Sequence, residues 1–428
     1  MAKNINPLLK EVLMDIKPSE KELRDIGKIL ADNIKKIKGN IQNRKINAEI
    51  FVGGSAAKGT LIKKDLYDID IFIRFDKKYK NEVLSDLAEK AIDGIRNTRI
   101  HGSRDYFRLG ISQNLFLEVV PVKRIRNSRE AENVTDLSYS HVNYIKKKIK
   151  SEKLLDEIRL AKAFCYANNS YGAESYVQGF SGYALELLIY HYGNFLKFVN
   201  EIAKIKFDSS NKIVIDIEKH HKKKSNILID LNEAKLKSPI ILVDPTYKQR
   251  NVLAALSEET FGNFQNVCRN FLKKPSVSFF KQKSVNTEKL KKSADSKGYE
   301  FVLLKITTNK QEGDVAGSKL LKFYRHLAEE TGKFFEIKEK GFEYDKAKSA
   351  KIFFAGKKKP WVISNGPEMN DKINVSRFKA AHKSVFIKNN RLYSKYEIKF
   401  TLKEFIKSFK NKNKKRLEEM SITELNLA

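Results

Sequence analysis

Apolar residues change their period along this chain, and each change marks an element. Leu23, Ile26, Leu30 and Ile34 recur at helical spacing behind Ser19 and Glu22, a capping-box pair, so residues 19–38 are predicted to form an amphipathic helix covering a sheet. Ala48 to Val52 reads as a strand ending at Gly53-Gly54, after which Ser55-Ala56-Ala57-Lys58 can open a short helix. Strict alternation follows in Tyr67-Asp68-Ile69-Asp70-Ile71-Phe72-Ile73-Arg74-Phe75. Ile69, Ile71, Ile73 and Phe75 share one face of this strand, Asp68 and Asp70 the other. A helix over 82–96 and strands over Tyr106–Ile111 and Leu115–Val120, the last stopped by Pro121, complete an α/β unit of roughly 40–140.

From Lys153 the period is helical, through EIRLAKAFCYAN and then, after Gly182, through YALELLIYHYGNFLKFV. KIVIDI, ILIDL and PIILV read as short β pieces, separated by the run Lys219-His220-His221-Lys222-Lys223-Lys224, read as a solvated loop. A helix from Glu258 to Leu272 closes this region. Beyond Pro275 the strands FVLLKI, KIFFAG and WVISNG and one helix near 314–331 predict an α+β body, while KSFKNKNKKRLEEM reads equally as helix or frayed tail. The fold class is multidomain α/β and α+β, with domains expected over 1–145, 146–280 and 281–400 and a basic segment over 401–428.

Charge narrows the partner. With 84 Lys and Arg against 52 Asp and Glu, the formal charge of +32 is spread through the chain and favours nucleic acid over a membrane surface. Cys165 and Cys268 are the only cysteines, too few to staple 428 residues, and no His/Cys cluster supports zinc. No stretch of apolar residues is long enough to span a membrane, and a cytoplasmic location is expected.

The chemistry centres on Asp68-Ile69-Asp70. Two carboxylates two residues apart on a strand can hold Mg²⁺ jointly with substrate phosphates. A D-x-D pair is common on half-exposed strands, so its surroundings decide. Upstream, Gly54-Ser55 stands at a strand-to-helix turn whose backbone N–H groups can cradle phosphate, and Lys58 adds a cation. Glu118, in LFLEVVP, supplies a third acid from another strand.

This layout resembles the DNA polymerase β nucleotidyltransferase superfamily. Tyr171-Gly172-Ala173-Glu174, Gly179-Phe180-Ser181-Gly182-Tyr183, Val243-Asp244-Pro245, Arg250-Asn251-Val252 and Pro275-Ser276-Val277-Ser278-Phe279-Phe280 are similar, more narrowly, to the archaeal class I CCA-adding enzymes. The resemblance implies a polymerase β-like nucleotidyltransferase head, a helical neck, an α+β body and a small tail. It also implies an enzyme that adds C, C and A to tRNA from CTP and ATP without a template. It assigns metal binding and catalysis to Asp68, Asp70 and Glu118, and nucleotide binding to Gly54, Ser55, Lys58, His141, Lys162, Tyr171 and Arg250. Two positions depart from the family: Lys58 stands where Arg is usual, losing the bidentate fork, and Glu118 where Asp is usual. Read without the family, His141 lies on a short polar segment, Lys162 on an exposed helix face, Tyr171 at a helix end and Arg250 at a loop-to-helix transition. Alternatives are a related RNA nucleotidyltransferase such as a poly(A) polymerase, an antibiotic nucleotidyltransferase, or a non-catalytic RNA-binding descendant. A homodimer stays open.

Overall fold

The helix opened by Ser19 runs farther than its apolar repeat, as α2 (Glu20–Asn43), behind a helix the pattern did not announce, α1 (Asn6–Ile16). Ser19 Oγ accepts the Glu22 N–H at 3.2 Å and the Glu22 carboxylate accepts the Ser19 N–H at 2.8 Å, the reciprocal bonds of a capping box. The computed structural model describes residues 5–64, 66–206, 212–223, 226, 227, 229, 231–282 and 286–428, which divide into two units, 1–283 and 284–428.

In the first unit β1 (Ala48–Val52), α3 (Gly54–Lys58), β2 (Tyr67–Phe75), α4 (Asn81–Ala91), β3 (Asn97–Ile100), β4 (Tyr106–Ser112) and β5 (Leu115–Lys123) follow in order. The sheet order is β1-β2-β5-β4-β3, with β2 and β5 parallel and the other neighbours antiparallel. Ile69, Ile71, Ile73 and Phe75 join Leu117 and Val119 in a core closed by Ile26, Leu30 and Ile37 of α2 and Leu84 and Ala88 of α4. That burial fixes register, because a slip of one residue would put Asp68 and Asp70 into the core. Pro121 does not stop β5. It lies past the last pairing with β4, Phe107 opposite Val119, where its missing N–H breaks no ladder on that side.

On the acid-bearing face Phe72 stacks on Phe51 at 4.8 Å, and Tyr139 meets Phe51 edge-on at 5.2 Å. The Arg74 guanidinium sits 3.8 Å from the Tyr139 ring centre. These contacts seat α5 (Ser138–Lys148) beside the acids. Helices α6 (Glu152–Ala167), α7 (Gly182–Tyr192), α8 (Phe195–Lys204) and Glu258–Lys273 then share one apolar core, in which Phe164, Phe180, Phe195, Phe264 and Phe271 are fully buried. Leu9 and Val12 of α1 belong to this second core rather than to that of the sheet.

Strands β6 (Ile213–Ile215), β7 (Ile240–Asp244) and β8 (Tyr247–Asn251) form a small sheet at its side. ILIDL is not a strand. Its described residues 227 and 229 are helical, and Ile227 and Leu231, four apart, pack on Ile241 and Val243 of β7; residues 228 and 230 lie outside the described set. The basic run is likewise not wholly solvated. The His221 ring is enclosed against Asp216 at 3.1 Å and His220 Nε2 lies 2.9 Å from the Pro245 carbonyl, while Lys224 lies outside the described residues.

The second unit contains an antiparallel sheet built from β9 (Glu300–Thr308), β10 (Phe335–Tyr344), β11 (Ser349–Lys358) and β15 (Ile422–Leu427), in the order β10-β11-β9-β15. Helices Asp314–Phe334 and Leu402–Lys412 share its core. A smaller sheet holds β12 (Val362–Glu368), β13 (Val385–Lys388) and β14 (Arg391–Tyr396), with β14 central. The basic C-terminal segment is therefore neither frayed nor apart: after two helices it returns as β15, with Ile422 and Leu425 buried. Among the described residues no helix is long and apolar enough to cross a membrane.

Candidate active site

The turn after β1 rests directly on the acidic strand. The Gly53 N–H donates to the Asp70 carbonyl at 2.9 Å, and a Cβ on Gly53 would lie 2.1 Å from the Phe72 ring. A Cβ on Gly54, whose φ is +58°, would lie 1.7 Å from an Asp70 carboxylate oxygen. Both positions need glycine because the backbone lies where a side chain would stand. The turn opens α3, which ends at left-handed Gly59 (φ +69°).

Asp70 of β2 is the register partner of Glu118 on β5, so the parallel pairing sets the two acids side by side. Burial, with the Glu118 charge adding to it, pushes the Asp70 carboxyl up to about 7. Burial also raises Glu118, although Arg108 of β4 opposes this from 3.0 Å. Asp68, one pleat along, is exposed. Among the described residues no three His, Cys, Asp or Glu side chains are grouped as a ready metal cage. The donor chemistry nevertheless suits a divalent cation: hard carboxylate oxygens of Asp68 and Asp70 project from one strand face, and a cation would favour the ionised Asp70 that burial and Glu118 disfavour. Glu118 is paired with Arg108.

Ser55, Thr60, Lys64, Asp68, Lys162 and Tyr171 line one cleft. Lys162 of α6 is not on an exposed face. Only 2% of it is accessible, and its Nζ donates to Glu186 of α7 at 2.8 Å and to Thr60 Oγ1 at 2.7 Å. Lys58 reaches the other oxygen of the same carboxylate at 2.6 Å. Burial works against the charge on Glu186, but Lys162 and Lys58 outweigh it and hold the carboxyl at about 2. Burial draws Lys162 down to about 8 despite this partner.

His141 and Arg250 meet at a second buried carboxylate. His141, read from sequence as lying on a short polar segment, is a buried residue of α5, because Val142 and Ile145 turn that helix face inward. Its Nε2 lies 2.9 Å from Asp244, and its ring stacks on Tyr183 at 4.0 Å. Arg250 is not at a helix start. It belongs to β8, hairpinned back on β7, and donates to Asp244 at 2.8 Å. Tyr183 and Thr246 also donate to Asp244. Burial opposes the charge on Asp244, but the bond from His141 and the nearby Arg250 hold it well below the usual carboxylate range. Burial lowers His141, against the bond and the charge of Asp244, which favour its protonated form.

The two groups adjoin: Lys58 Nζ is 5.9 Å from the ring of Tyr183 that stacks on His141. Sequence reasoning passed over Glu186, Asp244, Tyr183, Thr60 and Arg108 as site residues. A signal existed for Glu186, the one acid in the apolar run YALELLIYHY of α7.

A five-stranded sheet with a D-x-D strand parallel to a third acid, closed by a glycine turn lying on the second aspartate, defines a polymerase β-like nucleotidyltransferase. The family described as nucleotidyltransferase domain matches residues 34–160, and the one described as tRNA nucleotidyltransferase, second domain, matches residues 156–281. A CCA-adding enzyme of Nanoarchaeum equitans is 34% identical over 82% of this chain and 86% of its own. Another, of Methanocaldococcus jannaschii, is 30% identical over 98% and 93%. The chain belongs to the family of archaeal CCA-adding enzymes. Among solved structures, the Cid1 poly(U) polymerase is 15% identical with a TM-score of 0.51, covering 66% of this chain and all of its own; that likeness is one of fold.

Proposed function

We propose that this protein adds and repairs the 3′-terminal CCA of tRNA from CTP and ATP without a template, releasing pyrophosphate and using Mg²⁺. The observation that carries the reading is the glycine turn on Asp70, with Glu118 in register beside it and Lys162 and Tyr171 of the second family domain lining the same cleft as Ser55 and Asp68. Asp68 and Asp70 would hold the metal, with Glu118 as third acid once it leaves Arg108. Bound Mg²⁺ supplies charge stabilisation at the attacking and leaving oxygens.

The chain's own groups do the rest. Ser55, Lys58 and Lys162 bind the triphosphate as hydroxyl and point-charge donors, and Tyr171 closes the cleft wall. Asp244 fixes Arg250 and His141, so that the guanidinium offers a set edge to the incoming base. Base choice without a template needs such prepaid orientation. The excess positive charge attracts the tRNA backbone without reading sequence. Every residue named belongs to one chain, so the proposal does not depend on a homodimer.

The test is single-turnover incorporation with Mg²⁺, offering each NTP separately to tRNA ending before C, after C and after CC. C is expected at the first two stages and A at the third. Long A tracts, or labelling of a small molecule in preference to tRNA, would overturn the proposal in favour of a related transferase.

A further inference from the structure

We infer that Glu186 is a positioning residue of the nucleotide site, holding Lys58 and Lys162 together at the edge of the cleft as a paired anion receptor for the triphosphate. The inference rests on the nucleotidyltransferase reading above. It starts from an anomaly of composition: Glu186 is fully buried in a helix whose neighbours Leu185, Leu187, Leu188 and Ile189 are fully buried hydrocarbons. A carboxylate there is costly to desolvate, and an apolar side chain of similar size would serve packing as well or better.

Its contacts show what it does instead. One oxygen accepts from Lys58 at 2.6 Å, the other from Lys162 and from Thr60 Oγ1, both at 2.8 Å. Three separate segments thus converge on one side chain: the end of α3, the turn after it, and α6. At Glu186 two ammonium groups meet one carboxylate, an excess of positive charge that Asp70 offsets in part through Lys58, and Lys162 shares its cleft with Ser55 and Asp68. An incoming phosphate completes that charge balance. Gly182, opening α7, has no side chain to spare. A Cβ there would crowd the Tyr171 hydroxyl at 2.9 Å while making only ordinary contact with Lys162 Nζ at 3.7 Å, so its absence leaves Tyr171 its place on the cleft wall.

The groups facing Lys162 are Glu186 from α7, Lys58 from α3 and Thr60 and Lys64 from the segment after α3, with Tyr67 and Asp68 of β2 and Tyr171 lining the same cleft. Burial, with Lys58 and Lys64 adding to it, brings Lys162 down to about 8, and Glu186 favours its charged form by both its charge and its hydrogen bond. Removing the carboxylate therefore discharges Lys162 near neutral pH, and a neutral amine no longer attracts phosphate.

The experiment measures CTP dissociation constants on the full chain with Mg²⁺ and without tRNA. In Glu186→Gln, binding should weaken about tenfold near pH ~8.5 and recover toward wild type near pH ~6.5, the change expected when one buried amine loses its proton. Glu186→Asp, which keeps the charge, should follow the wild-type profile, and Lys162→Met should be weaker by a constant factor at all pH values. Wild-type affinity in Glu186→Gln at high pH, a pH-independent loss in it, or identical behaviour of the Asp and Gln variants would overturn the inference. If Glu186→Gln does not fold, Lys162→Met decides, and wild-type affinity there overturns it. CMP transfer to tRNA by the wild type is scored in parallel. Its absence with CTP binding intact would strike the proposed function and leave the role of Glu186 standing.

Discussion

Asp70 stands where three constraints meet: its carbonyl receives the Gly53 N–H, its carboxylate lies against Gly54, and Glu118 is its register partner. Asp70→Asn keeps the shape and removes the charge. Single-turnover incorporation should fall by about 10²–10³-fold while tRNA affinity, measured by filter binding, is largely retained. An unchanged rate would take Asp70 out of the chemistry. Gly54→Ala puts a methyl group 1.7 Å from that carboxylate at a φ of +58°. The backbone alone should cost about 1–2 kcal/mol, seen as a lower melting temperature, and displacement of Asp70 should slow C and A addition alike. Glu186 gives a pH signature of stability rather than rate. Its folded pKa of about 2 lies below the ordinary 4.5, so its stabilising effect is complete above about pH 4.5 and is lost as pH falls through about 2. Glu186→Gln should flatten that part of the melting-temperature profile; an unchanged slope would mean the carboxylate is not ionised in the fold.

Elements differed in how far the sequence disclosed them. The capped helix α2, the alternating strand β2 and the apolar helices α6 and α7 were legible because one period ran unbroken through each. ILIDL misled because a short apolar run carries too few residues to separate two periods, and its spacing of Ile227 and Leu231 serves a helix packed on β7. Asp68, Asp70, Gly54 and Glu118 could be placed on elements from local pattern. The partnerships of Lys162 with Glu186 and of His141 with Asp244 could not, because they join residues 24 and 103 positions apart. No local rule reports that distance. β15 is another such case: six residues after a lysine-rich stretch pair with a strand begun more than a hundred positions earlier. Deleting 422–427 removes buried Ile422 and Leu425 and leaves β9 an edge. Denaturant unfolding of the second unit should lose about 3–6 kcal/mol, from two buried side chains at about 1.5–3 kcal/mol each. CTP binding should persist, since every cleft residue lies in the first unit.

At the scale of the whole molecule, order in sequence and order in space part company at α1. Leu9 and Val12 share a core with α6 but also with Phe271 and Phe280, so α1 is made long before part of its receptor. Eleven residues are too few to hold a helix alone in water. A ribosome-bound chain halted near residue 200 should therefore have its sheet protected while residues 6–16 are still cut by a protease, and protection of α1 at that length would show that it docks without those phenylalanines. Helix α1 acts as a latch fastened late, after the stretch that completes its receptor has emerged.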